Sequence, residues 1–124
     1  MAQEISQDRK TTGHYLVSEA AGYRSREQVM IASGAGIQKA GAVLGKITAS
    51  GKYLPYDPAG ADGTENAAAI LFEGCDATSA DVRRTVTARD SEIHVDVLEW
   101  ADGVDDGEKN TALTALAALG IIGR

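Results

Sequence analysis

Thr85-Val86-Thr87-Ala88-Arg89-Asp90-Ser91-Glu92-Ile93-His94-Val95-Asp96-Val97-Leu98-Glu99-Trp100 carries the clearest period in the chain. Between Glu92 and Trp100, Ile93, Val95 and Val97 fall on one side while His94 and Asp96 fall on the other. Strict alternation of this kind marks a strand with one buried face. Thr85–Ala88 reads as a second strand, and Arg89-Asp90-Ser91 as the turn of a hairpin joining the two. A β-rich fold is the first expectation.

Outward from this hairpin the same signals recur. Val29-Met30-Ile31-Ala32 is a short apolar run closed by Ser33-Gly34-Ala35-Gly36. Ala42–Thr48, then Lys52-Tyr53-Leu54-Pro55 after the Ser50-Gly51 turn, read as further strands, and Ala67–Phe72 as a buried one. Tyr56–Asn66 is a loop by its chemistry, with Asp57 before Pro58 and glycines at 60 and 63. One helix interrupts the pattern. Asp105 or Asp106 can cap it, Glu108 suits its positive end, and Gly120 stands where a C-terminal glycine belongs. Ala112, Leu113, Leu116, Ala117 and Leu119 form its apolar face. The expected class is therefore mainly β with one or two short helices (α+β).

Composition sets the scale. The 124 residues suit one domain, and 44% hydrophobic residues suffice for one modest core. Aromatics are only 5%, so that core rests on Val, Ile, Leu and Ala, while 14 glycines point to many tight turns. The net charge of −6 lies in residues 29–124, because residues 1–28 carry four charges of each sign. An acidic body repels phosphate backbones and disfavours nucleic acid as a partner. The longest apolar runs fall short of the ~20 residues that cross a bilayer, and no signal-peptide pattern opens the chain. Neither a membrane partner nor secretion is expected. The single Cys75 fits a reducing compartment as a small buried hydrophobe.

Reaction machinery is not evident, and the chain does not read as an enzyme. His14 and His94 are far apart in sequence, and nothing orients a pairing of Cys75 with His94. Asp102, Asp105 and Asp106 miss the spacing of a calcium loop and read better as an acidic turn feeding the helix. Ser33-Gly34-Ala35-Gly36 fails both phosphate-loop spacings and reads as a turn. Arg83, Arg84 and Arg89, bracketed by Asp81 and Asp90, read as a solvated or interfacial patch. No cofactor and no metal are expected.

Protein binding is what remains. Met1–Gly13 is polar and lacks either period. His14-Tyr15-Leu16-Val17 follows as a β-prone patch, with Tyr23 beyond it. Two readings stay open for this patch: an edge strand folded onto the body, or an arm that pairs with another chain. Tyr53 and Trp100 lie beside turns and, with Pro55 and Tyr56, are candidate interface residues. The plainer reading is that these aromatics cap a small core.

Gly41-Ala42-Val43-Leu44-Gly45-Lys46-Ile47-Thr48, Gly51-Lys52-Tyr53, Asp62-Gly63-Thr64, Ala67–Leu71 and Asp76-Ala77-Thr78 follow one another in order. With Thr85–Leu98 and the closing Leu116, Leu119-Gly120-Ile121-Ile122 and Arg124, this set resembles the lambda-type head decoration proteins of tailed bacteriophages. The likeness spans about residues 28–124. It implies a compact β-clip-like or β-barrel-like body that assembles as a homotrimer on the exterior of the expanded capsid. Such trimers occupy threefold and quasi-threefold positions, bind the major capsid protein and stabilise the shell against packaged DNA. Made in the host cytoplasm, the chain would end up in the virion. The resemblance also implies a flexible capsid-binding arm, mapped here onto residues 1–27, with 28–124 as the decoration domain. His14, Tyr15, Leu16, Val17 and Tyr23 are the arm residues so implied, while Tyr53, Pro55, Tyr56 and Trp100 stay candidate trimer or capsid contacts on the reading of aromatics and proline near turns. The alternatives are a tail or baseplate adaptor, or a ligand- or metal-binding β module using Tyr56–Asn66 or Asp102–Asp106.

Overall fold

The computed structural model describes residues 12–22 and 24–124. Its centre is a closed five-stranded barrel. β2 (Arg26–Ile31), β5 (Tyr53–Pro55), β4 (Val43–Lys46), β6 (Ala67–Leu71) and β8 (Val82–Thr87) neighbour one another in that order, and β8 pairs back to β2. Closure removes the exposed edges that short strands would otherwise present. The β2–β8 pair is the longest ladder, running antiparallel from Arg26 opposite Thr87 to Ile31 opposite Val82.

Two smaller sheets flank the barrel. β3 (Gly36–Gln38) and β7 (Cys75–Ala77) form a two-stranded ribbon. β1 (Leu16–Glu19), β9 (Ser91–Ile93) and β10 (Ile121–Gly123) form a three-stranded sheet with β9 in the middle, antiparallel to β1 and parallel to β10. α1 (Asp106–Ala118) leads into β10 through Gly120, whose φ of +90° is a left-handed turn that glycine adopts without strain. Asp105 caps α1 in a full capping box. Its carboxylate accepts from the Glu108 N–H, and the Glu108 carboxylate accepts from the Asp105 N–H.

The core has two lobes that share strands. One fills the barrel with Ile31, Leu44, Ala69, Leu71 and Val86. The other lies between the barrel wall, α1 and the three-stranded sheet, and holds Tyr15, Val43, Ile70, Ile93, Leu116 and Ile121. Val43 and Leu44, like Ile70 and Leu71, are chain neighbours that face opposite lobes. β4 and β6 are thus buried on both faces, which is why they read as continuous apolar runs without alternation.

The β-rich, barrel-like body with little helix is the one expected. Three local expectations are corrected. The alternating stretch Glu92–Trp100 is not one strand: β9 ends at Ile93, and Val95–Val97 turn as a 3-10 helix. β10 stops at Gly123 opposite Ile93 and β1 starts at Leu16 opposite the same residue; past it the pairing dwindles to His94 N–H donating to the Tyr15 carbonyl and Val95 N–H to the Arg124 carbonyl. Nor do β8 and β9 form a hairpin. Asp90 adopts φ +51°, and the chain passes from the barrel into the other sheet. On the helix, Ala112 and Leu116 are buried as expected, whereas Ala117 and Leu119 face solvent.

Candidate functional site

Two regions gather the residues singled out for binding. The first is the N-terminal strand. Gly13 lies against the Phe72 ring, where an added Cβ would come within 2.8 Å of a ring carbon, and its N–H donates to the Phe72 carbonyl. His14 is half-buried and meets the Tyr15 ring edge-on at 5.8 Å. Tyr15 is 0% exposed, and its hydroxyl lies 2.5 Å from Thr87 Oγ1. Burial pushes the Tyr15 phenol well above its ordinary pKa.

The far end of β1 is also fastened. Glu19 accepts from Arg26 Nε at 3.1 Å, from Arg26 Nη2 at 2.6 Å and from Ser25 Oγ. The Arg26 bonds foremost hold its carboxyl below the usual range. The same guanidinium lies 4.1 Å over the Phe72 ring. Within this chain, the His14–Val17 stretch runs into β1, which folds onto the body as an outer strand against β9. A boundary between residues 27 and 28 would fall inside β2. Tyr23 and residues 1–11 lie outside the described residues.

Val17 keeps 44% of its surface exposed, and Ile122 on β10 keeps 36%. Both stand on a sheet whose outer strands, β1 and β10, each pair on one side within the sheet. Among the described residues this leaves the outer edges of β1 and β10 without a neighbouring strand, and such edges are where a sheet accepts a foreign strand.

The second region is a groove beside β5. One part, about 530 Å³, is lined by Ala35, Leu54, Pro55, Tyr56, Ala101 and Val104, with Asp57, Asp62, Asp102 and Glu108 around it. It runs into a second part of about 410 Å³ bounded by Ile37, Val43, Pro55, Glu99, Trp100 and Asp102. Pro55, Tyr56 and Trp100, separated in sequence, therefore meet. The Tyr56 and Trp100 rings contact edge-on at 6.2 Å, and the Tyr56 hydroxyl donates to the Glu108 carbonyl. Tyr53 does not join them: its ring is buried in the barrel lobe, as a core-capping aromatic.

Ile37 is the groove residue that sequence reasoning missed. It is 73% exposed, on the ribbon strand β3. Three residues are too few to show a period, and the available signal was an isolated Ile after a glycine turn. Among the described residues, no three or more His, Cys, Asp or Glu side chains come together in a way that could hold a metal ion. Cys75 is buried and burial raises its thiol pKa, as expected of a small core side chain. Among the described residues, no helix is long and apolar enough to cross a membrane.

These surfaces suit contacts with protein, and comparison with known proteins gives them a setting. No curated protein matches the chain. The profile of the bacteriophage lambda head decoration protein D family matches residues 5–121, which takes in the barrel, α1 and the start of β10. By that match this chain belongs to the bacteriophage lambda head decoration protein D family, and its role is structural, as a phage capsid decoration protein.

Proposed function

We propose that the chain acts as a trimeric cement on the exterior of the expanded capsid. It would bind the major capsid protein at threefold and quasi-threefold positions and stabilise the shell against internal pressure. Membership of the decoration family, resting on the match over residues 5–121, is the observation that carries this reading. The capsid-binding arm is the segment before Thr12 together with the open edge of β1 at Leu16 and Val17. Tyr15 belongs to the body, because withdrawing it would open the core.

A single short arm buries little surface and binds weakly on its own. Three arms on one trimer make the second and third contacts effectively intramolecular, which raises avidity by roughly 10²–10⁴. A shell whose acceptor edges align only after expansion would then be recognised only in that state.

The test is a chain lacking residues 1–11. Its melting should match the full chain, since β1 and Tyr15 are intact, while its occupancy of expanded capsids in a sedimentation assay should fall by an order of magnitude or more. Normal occupancy would overturn the arm assignment. A full chain that fails to pellet with expanded capsids would overturn the decoration reading itself.

A further inference from the structure

We propose that the groove beside Ile37 receives the outer β2–β8 face of a second copy of this chain, with Asp102 of one copy opposite Arg83 of the next. This rests on the trimer reading above and assigns its contact surface.

The groove pairs an apolar wall with an acidic rim. Ile37 stands 73% exposed on β3, and Pro55 and Ala101 line the floor beside it. Asp102 borders both parts of the groove, is exposed, and forms no hydrogen bond or ion pair through its side chain among the described residues. Asp57 and Asp62 extend the rim. A protein of net charge −6 would repel this rim with most of its own surface. A second copy must therefore present a cation beside apolar surface.

The chain's cations are mostly committed. Arg24 pairs with Asp90, Arg26 with Glu19, Lys52 with Asp81, Arg89 with Glu27 and Arg124 with Glu92. Arg84 donates to the Gly74 and Arg83 carbonyls, and Lys109 sits 5.8 Å over the Trp100 ring. Lys39 lies in the groove itself, and Lys46 stands among Thr48, Glu65 and Asn66. Outside the groove, Lys46 and Arg83 are exposed cations without an ion pair among the described residues, and Arg83 is the one on the β2–β8 face. It is the cross-strand partner of Met30, a half-buried residue outside both core lobes, whereas Val29 and Ile31 on either side of it belong to the barrel lobe. The β2–β8 face thus offers an apolar side chain and a cation side by side, matching the Ile37 wall and the Asp102 rim. Contact between unlike faces is heterologous, the kind that closes into a ring when the rotation allows.

Sedimentation velocity on single and double charge reversals tests the pairing. Asp102→Arg and Arg83→Asp should each weaken self-association about tenfold or more, as close interfacial charge pairs do. The double variant Asp102→Arg/Arg83→Asp should recover most of that loss. Asp96→Arg, on the 3-10 turn outside the groove, changes net charge equally and should leave association unchanged. All three sites are exposed, and a thermal melt confirms that each variant is folded. A wild-type chain that stays monomeric at assembly concentrations, a double variant no better than the singles, or an Asp96→Arg effect equal to that of Asp102→Arg would each overturn the proposal. Self-association through the groove without capsid binding would instead sink the decoration reading and leave this interface standing.

Discussion

Tyr15 decides whether the N-terminal stretch belongs to the body. A tyrosine that anchored an arm to a foreign surface would keep its ring exposed, but this ring is wholly buried and its hydroxyl is matched to Thr87 Oγ1. Removing that hydroxyl leaves Thr87, itself 0% exposed, short of a partner. Tyr15→Phe should therefore cost about 1 to 3 kcal/mol in urea unfolding, and Tyr15→Ala about 3 to 5 kcal/mol through the cavity it opens. The phenol also sets a pH dependence. Its pKa is raised in the folded state by burial, so the folded protein holds the proton more tightly than the unfolded chain. Stability from this group is complete below the unfolded tyrosine value of about 10 and declines as pH climbs beyond it. Wild type should lose stability above about pH 10 more steeply than Tyr15→Phe; equal slopes would show that Tyr15 is not the titrating group.

At the scale of elements, Gly45 shows how a single position bends a strand. The register between β4 and β6 slips between Leu44 and Gly45, where the Thr64 backbone crosses close to the strand. A Cβ at Gly45 would lie 2.6 Å from both Thr64 Cα and Thr64 O, atoms that cannot move without shifting the loop. Gly45→Ala should destabilise by about 1 to 3 kcal/mol, as overpacking does. A thermal melt identical to wild type would show that the loop yields freely. Legibility in the sequence follows the same local logic. The barrel strands and α1 were readable because their apolar runs and cap residues act within a few positions. The ribbon strands β3 and β7 were not, since three residues carry no period and only their pairing defines them. The fate of Glu92–Trp100 was also hidden. Its alternation was genuine, but a strand needs neighbours, and both run out within two residues of Ile93, after single bonds from His94 and Val95. Of the binding surface, Pro55, Tyr56 and Trp100 were visible as aromatics and proline near turns. Ile37 was not, because its exposure comes from how the ribbon stands on the barrel.

For the whole molecule, the shared strands determine how the chain unfolds. β4 and β6 contribute to both core lobes, so neither lobe can open without removing a wall of the other. Trp100 packs against the lobe beneath α1 and is the only tryptophan, so its fluorescence reports that lobe. Leu71 lies in the barrel lobe, on the opposite face of β6 from Ile70. Leu71→Ala should cost about 2 to 5 kcal/mol, the range for large-to-small changes in a packed core. The shift should appear equally in far-UV circular dichroism and in Trp100 fluorescence, because coincident transitions are the mark of one cooperative unit. Ile70→Ala should do the same from the other face. If Leu71→Ala moved the dichroism transition and left the Trp100 transition where it was, the lobes would be separately stable and the shared-strand account would fail. Under the cement role proposed above, load applied at the edge of β1 would pass through Tyr15 into the strands that wall the barrel, so the edge would not peel away without a cost drawn from the whole core.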